Sequence, residues 1–222
     1  MRTDETGFGS LRLIQDPDEF CYGTDAVLLA KFAKLPAGLR LCDICTGNGA
    51  VAFIADYLYR SSYCLGIDIN AHETELANES AKLNGLDDHM SFMTLDANEL
   101  KKPEYFESFD AALMNPPYQI KGSGVAGDRP EKHAARFETT ADLKDLLEAA
   151  AYILKPKGSL SMIHRPSRLV DIMAYSRAAG LEAKRMQMVA PRRGESANLV
   201  LVQFVKGGGK ELIIEPEYYV HG

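Results

Sequence analysis

Four short apolar runs in this chain each stop at an acidic or amide residue, and this recurrence constrains the fold more than anything else in the sequence. The runs at 39–45, 63–69, 90–95 and 109–114 deliver Asp43, Asp68, Asp96 and Asn115 in turn. Such runs read as strands buried on both faces, as in a parallel sheet. Helical segments alternate with them. Residues 50–59 follow the first run, and 71–83 follow the second, closed by Asn84-Gly85 as a C-cap pair. Alternation of this kind predicts a doubly wound, mostly parallel α/β sheet. Downstream, a helix at 141–154, a strand at 159–164 and a helix at 166–179 continue the pattern. Two successive strands at 183–190 and 198–205 then predict a closing antiparallel hairpin and bring the expected total to seven strands. A last short strand is expected within 211–214. At 222 residues the chain reads as one domain, 1–222, with a leader at 1–22 in which 11–14 has strand character. Gly23-Thr24-Asp25 opens the first helix, with Thr24 as the expected N-cap and Asp25 at the positive end of the dipole.

Composition closes off several classes. Hydrophobic residues make up 46% and charged residues 25%, ordinary for a soluble globular protein. No stretch has the roughly 18 uninterrupted apolar residues of a membrane span. The opening Met1-Arg2-Thr3-Asp4-Glu5 has no apolar signal core, so a cytoplasmic location is expected. Of the four cysteines, Cys42 and Cys45 have C-x-x-C spacing. No second pair exists and the motif overlaps a strand, so buried thiols are expected and no metal. The net charge of −6 argues against a nucleic-acid partner at first sight, yet residues 177–210 hold seven basic side chains against two acidic. A local basic face on an acidic protein still suits phosphates.

Asn115-Pro116-Pro117-Tyr118 ends the fourth strand. Two prolines lack the N–H that a ladder needs, so pairing stops there. What remains at the carboxyl end of the strand is an amide, main-chain carbonyls without ladder partners and an aromatic ring. That set suits a flat group bearing an amine, at the place where open α/β sheets bind ligands.

Gly47-Asn48-Gly49-Ala50-Val51-Ala52 fits G-x-G-x-x-(G/A) between a strand and a helix, where glycines admit a ligand close to the backbone. Asp68, with Ile69 beside it, lies about twenty residues on, where a carboxylate binds ribose hydroxyls. The turn alone fits a dinucleotide enzyme as well as an S-adenosylmethionine enzyme. Asp43 distinguishes them: a carboxylate four residues before Gly47 repels a pyrophosphate but attracts a cationic amino group. Asp96-Ala97 supplies an acceptor for an adenine amine. Nothing resembles a hydride-transfer site.

Together, Asp43-Ile44-Cys45-Thr46-Gly47-Asn48-Gly49, Asp68, Asp96-Ala97 and Asn115-Pro116-Pro117-Tyr118 resemble the motifs of class I S-adenosylmethionine-dependent amino-methyltransferases, over about residues 20–205. Phe20-Cys21-Tyr22-Gly23-Thr24-Asp25-Ala26-Val27-Leu28-Leu29-Ala30 is similar to the leader of bacterial tRNA (valine) adenine-N6 methyltransferases. His133-Ala134-Ala135-Arg136-Phe137-Glu138 and Ala197-Asn198-Leu199-Val200-Leu201-Val202 with Lys206-Gly207-Gly208 are similar to that group too. Cys45 departs from the class, which has a small residue there, and is expected to narrow the cofactor pocket.

The resemblance implies a Rossmann-like methyltransferase sheet, S-adenosylmethionine as cofactor and tRNA as partner, with the adenosine beside the anticodon as target. It implies that Thr46, Gly47 and Gly49 bring the main chain to the cofactor and that Asp43 lies near its methionine end. Asp68 and Ile69 would serve the ribose, Asp96 and Ala97 the adenine, and Gly23, Thr24 and Asp25 would close the methionine side. Asn115 and the Pro116 carbonyl would accept the two hydrogens of the target amine, Pro117 would shape the turn, and Tyr118 would stack on the base. The basic candidates for RNA are Lys132, Arg136, Arg192 and Arg193. Release-factor glutamine methyltransferases carry the same four-residue motif, but usually with a helical N-terminal domain of substantial size, where about twenty residues precede Gly23 here. A guanine-N2 methyltransferase and a non-catalytic RNA-binding module with a vestigial pocket are the remaining alternatives.

Overall fold

A computed structural model describes residues 1–19, 21–118 and 142–221. The chain begins with an antiparallel pair, β1 (Arg2–Glu5) and β2 (Arg12–Gln15). It continues through α1 (Thr24–Ala33), β3 (Arg40–Ile44), α2 (Ala50–Tyr59), β4 (Tyr63–Asp68), α3 (Ala71–Asn84), β5 (Met90–Thr94) and β6 (Phe109–Met114). After the undescribed stretch come α4 (Leu143–Ile153), β7 (Leu154–His164), α5 (Leu169–Ala178), β8 (Leu181–Ala190) and β9 (Leu199–Lys206). Two-residue strands β10 (Ile213–Ile214) and β11 (Tyr218–Tyr219) end the description.

The seven long strands form one sheet in the order β5-β4-β3-β6-β7-β9-β8. The first five are parallel, and β9 lies antiparallel between β7 and β8. Strand alternation builds both faces of the core. Cys42, Ile44, Leu65, Ile67, Ala112 and Met114 share one cluster with the apolar sides of α4 and α5. The intervening Leu41, Cys64, Ala111 and Leu113 belong to a second cluster with α1, α2 and α3. From β3 the chain winds outward to β4 and β5, and then returns to place β6 on the other side. The carboxyl end of β3 is therefore the topological switch point, where such sheets leave a crevice.

Aromatic packing beneath that crevice sets a tight constraint. Phe53 of α2 and Phe92 of β5 meet with ring centroids 5.1 Å apart. A Cβ on Gly66 of β4 would come within 2.8 Å of Thr46 Oγ1 and closer still to the Phe92 ring. Gly66→Ala should destabilise the protein by about 2–3 kcal/mol through overpacking. Thermal unfolding with and without the substitution checks this; an unchanged midpoint would show that the Phe92 ring has room to move.

The structure corrects several local expectations. The leader holds two strands, and Gln15 anchors them: its side-chain oxygen accepts from Tyr22 N at 3.0 Å and from Asn48 Nδ2 at 3.2 Å. Thr24 is the first helical residue rather than the cap. Gly23 takes the cap position in an extended conformation, with no side-chain bond. Strand β7 starts at Leu154, five residues before the expected 159, because its ladder survives a bulge: Phe109 pairs with Leu154, then Ala111 with Ser159. The helix expected from 166 opens as a short 3-10 turn, Pro166–Arg168, and becomes α-helical at Leu169. Both short C-terminal strands pair with β8 in parallel, at its open edge. Glu215 holds that tail through Arg185 at 2.8 Å and Lys34 at 3.3 Å.

Candidate active site

The glycine turn leaves β3 at Ile44 and enters α2 at Ala50. Cys45, Gly47 and Gly49 all have positive φ, at 61°, 53° and 83°. A left-handed conformation costs an ordinary L-residue about 1–2 kcal/mol, which is the physical reason a glycine-like residue suits the Cys45 position. The Cys45 side chain is half-buried, while Cys42 and Cys64 are fully buried, and all four cysteines are free thiols. Burial pushes the thiols of Cys42, Cys45 and Cys64 well up, with Asp43 adding to each.

Carboxylates brace this turn from below and from the side. Asp43 is fully buried beneath it and accepts from Thr46 Oγ1 at 2.7 Å through Oδ2. Among the described residues its Oδ1 has no hydrogen-bond partner. Burial raises the Asp43 carboxyl to about 7, with partial relief from Thr46 and the Ala52 amide at the start of α2. Asp68, at the end of β4, accepts from Gly47 N at 2.9 Å and from Asn70 N at 3.0 Å, fixing the turn against the next helix. Burial raises its carboxyl too. Ile69 follows, half-buried. Asp96 caps the short turn Ala97–Lys101 by accepting from Asn98 N, and Ala97 is buried in the core.

Glu73 is a residue the sequence reading missed. It lies in the first turn of α3, 7% exposed, and burial together with the charge of Asp68 raises it to about 7. A Cβ built on Gly47 would meet nothing nearer than Glu73 Oε2 at 4.0 Å. The room in front of Gly47 is thus walled by Glu73, with Asp68 beside it and Asp43 underneath. Its amphipathic surroundings concealed this residue, since a glutamate in a first helical turn ordinarily serves the helix dipole.

Asn115 stands at the carboxyl end of β6, next to β3 in the sheet. Pro116 is buried, Pro117 exposed, and Asn115 and Tyr118 half-buried. Asp25, one residue into α1, meets both polar members: Asn115 Nδ2 donates to Asp25 Oδ2 at 3.4 Å, and the Tyr118 hydroxyl lies 3.1 Å from the same oxygen. The Tyr118 hydroxyl also donates to Asn115 Oδ1 at 2.9 Å. Burial and the Asp25 charge raise the Tyr118 phenol well above its usual range. Gly23 and Thr24 immediately precede Asp25, as the cap and first residue of α1.

The last residue of β7, His164, and the next, Arg165, complete the rim and also escaped the sequence reading. The His164 ring packs against Tyr118 with centroids 5.4 Å apart, and the Arg165 guanidinium lies 4.9 Å over the Tyr118 ring. Burial, with help from Arg168, lowers His164 to about 4, and its Nδ1 accepts from Arg165 N at 2.7 Å. It is therefore neutral near pH 7 and has its available ring proton on Nε2, a poor arrangement for a base. Arg165 also donates to Asn198 O at 3.1 Å, tying the β8–β9 turn to the site.

That turn carries Arg192 and Arg193, both exposed; Arg192 contacts Glu195 at 3.5 Å. Because β8 runs in the same direction as β7, the turn after it lies on the same sheet edge as Asn115. Lys132 and Arg136 lie outside the described residues. Among the described residues no group of three or more His, Cys, Asp or Glu side chains is placed to hold a metal, and no helix is long and apolar enough to cross a membrane.

A doubly wound sheet with a glycine turn and carboxylates at its switch point defines a class of α/β proteins that hold a nucleoside-bearing ligand. Comparison with known proteins narrows this. Residues 35–188 match the family model described as a methyltransferase domain. The chain is 30% identical over 195 residues to a protein of Porphyromonas gingivalis named tRNA1(Val) (adenine(37)-N6)-methyltransferase, covering 85% of this chain and 76% of the relative. A protein of the same name from Tolumonas auensis is 25% identical over 198 residues, covering 88% of this chain and 80% of the relative. Among solved structures, a predicted O-methyltransferase, Atu636 of Agrobacterium tumefaciens, superposes with a TM-score of 0.71 at 21% identity, covering 89% of this chain and 88% of the other. The chain belongs to the methyltransferase domain family. It is a methyltransferase enzyme, and the seven-stranded sheet with an antiparallel C-terminal pair is the architecture expected of it.

Proposed function

We propose that this enzyme methylates the exocyclic N6 of an adenosine in tRNA, with S-adenosylmethionine as methyl donor. The observation that carries the reading is the placement of Asn115-Pro116-Pro117-Tyr118 at the end of β6, beside the glycine turn of β3. The names of the Porphyromonas and Tolumonas relatives support the same substrate.

The residues present fit the donor. The space in front of Gly47 is open and walled by carboxylates, which suits ribose hydroxyls and a cationic ligand and disfavours a pyrophosphate. Asp68 and Glu73 would face the ribose side, with Ile69 alongside. Asp96 would take the adenine amine, with Ala97 supporting its turn from the core. Asp43 is buried, so it would act through its charge beneath Thr46, Gly47 and Gly49 rather than by contact. When bound, the donor supplies an electrophilic methyl on a sulfonium.

An adenine N6 is a poor nucleophile because its lone pair is delocalised into the ring. Asn115 Oδ1 and the Pro116 carbonyl would accept its two hydrogens and favour a pyramidal nitrogen facing the methyl. Held there, the amine lone pair would make the new N–C bond while the donor keeps the electron pair of its broken S–C bond. The proton then leaves to solvent, so no dedicated base is required, consistent with the depressed His164. Fixed orientation and fixed dipoles supply the acceleration. Tyr118 would stack on the extruded base, worth roughly 1–3 kcal/mol.

Arg192 and Arg193, with Arg165 between them and the site, would hold phosphates. Replacing Arg192 and Arg193 together by alanine should weaken tRNA binding and reduce the slope of log K against log salt by about 1–2. An unchanged slope would move the RNA face elsewhere. The functional reading itself is tested with tritiated S-adenosylmethionine, total tRNA and, separately, release factor, followed by nucleoside analysis. Label recovered as N6-methyladenosine supports it. Label confined to release factor would replace the RNA substrate by a protein amide.

A further inference from the structure

We propose that Asp25 is a positioning residue of methyl transfer: it fixes which way the Asn115 amide points and holds the Tyr118 hydroxyl over the amide oxygen until a base enters. This rests on the reading above, in which Asn115 Oδ1 accepts a hydrogen of the target amine.

The argument begins from donor and acceptor chemistry. A carboxylate only accepts, whereas an amide has one accepting and one donating end. Asp25 Oδ2 therefore selects the NH2 end of Asn115, 3.4 Å away. The oxygen is left on the other branch, where a target amine needs it. Without a charged acceptor at position 25, the two amide orientations differ little in energy, and half of the possible arrangements present a donor to a donor. The tyrosine completes the device. Its single hydroxyl hydrogen faces two acceptors, Asp25 Oδ2 at 3.1 Å and Asn115 Oδ1 at 2.9 Å. An amide oxygen has two lone pairs, so this contact takes up half of its accepting capacity.

His164 and the Arg165 guanidinium pack on the ring of Tyr118, which keeps it against the site. A base that stacks on Tyr118 and donates to Asn115 either uses the second lone pair of Oδ1 or displaces the hydroxyl from it. Asp25 remains as an acceptor for both the displaced hydroxyl and the amide. It thus keeps the amide oriented after the tyrosine has moved. Its position is set by α1, whose buried face Ala26, Leu28, Leu29 and Phe32 is locked into the core. The carboxylate is accordingly delivered by a rigid element rather than by a loop.

Asp25→Asn is the test, because it keeps size and removes the obligate acceptor. Three quantities are read: kcat with saturating S-adenosylmethionine and tRNA, the Kd for S-adenosylmethionine by calorimetry, and nitration of Tyr118 by tetranitromethane resolved by peptide mass spectrometry. The expected result is a kcat lower by about 10–100-fold with a Kd changed by less than about threefold. Tyr118 nitration should rise severalfold over wild type while Tyr63 and Tyr152 keep their rates, since phenolate is the reacting form and Asp25 adds to burial in suppressing it. Retained cofactor binding shows that the variant is folded. An unchanged kcat, or a raised Kd with normal kcat at saturation, would overturn the proposal and make Asp25 a cofactor ligand or a bystander. Equal nitration in both proteins would also overturn it. If the wild type labels no RNA at all, the substrate reading fails, and the nitration comparison still decides whether Asp25 holds Tyr118.

Discussion

Asn115→Ala should lower kcat for methyl transfer by about 10²–10³-fold while leaving the Kd for S-adenosylmethionine within about threefold. The amide lies at the end of β6, beside the switch point, and among the described residues its side chain bonds to Asp25 and Tyr118 rather than to the glycine turn. Its loss removes an acceptor that matters only once an amine is presented to it. The effect should therefore fall on the chemical step, with the KM for tRNA little changed. Single-turnover labelling with calorimetry on the same preparation separates the two. Joint loss of binding and turnover would mean that the residue serves the cofactor.

A second large effect concerns stability and affinity together. Asp43→Asn should stabilise the protein by about 1–3 kcal/mol at pH 8 and hardly at all at pH 5. The sign follows from the direction of the shift. Burial raises the folded-state carboxyl from 3.8 to about 7, so the folded protein binds the proton more tightly than the unfolded chain. The associated stability is fully present below the ordinary carboxylate range and is lost as pH rises through about 7. Glu73, raised to about 7, contributes in the same sense, so the wild type should soften between pH 5 and 8. The asparagine variant should show a flatter profile. The same substitution should weaken S-adenosylmethionine binding at pH 7.5 by about 3–10-fold, because an ionised Asp43 favours a cationic ligand above it. Thermal denaturation across pH with parallel calorimetry checks both. Stability and affinity that fall together would show that the Thr46 contact outweighs the buried charge.

Most of the sheet was legible because buried parallel strands are short apolar runs with hard stops, and Asp68 and Asn115 stand where those stops predict. Seven strands and the closing antiparallel pair follow from the same periodicity. What the sequence hid lies in long-range pairing. Residues 155–158 carry a proline and a glycine and read as a helix stop, yet they form a bulge that leaves Leu154 in the ladder. The first leader strand is only four residues and its partner lies seven residues beyond it, too short for a period to show. Within the site, the places of Asp68, Gly47 and Asn115 at the ends of their strands could be read from spacing. Glu73, His164 and Arg165 could not, because each is an ordinary residue for its local element and gains its place only through packing. The contact of Asp25 with Asn115 spans ninety residues and leaves no local trace.

The position of β9 between β7 and β8 has a consequence for how specificity can change. It brings the turn bearing Arg192 and Arg193 to the edge where Asn115 ends its strand, while tying that turn back by the Arg165 bond to Asn198 O. The turn is exposed and contributes nothing to either core cluster. On the proposed reading, RNA contact and methyl transfer would occupy separable pieces of chain. Exchanging the turn would then alter which nucleic acid is held and leave the transfer geometry standing, so a lineage built on this scaffold could drift between targets without rebuilding its catalyst.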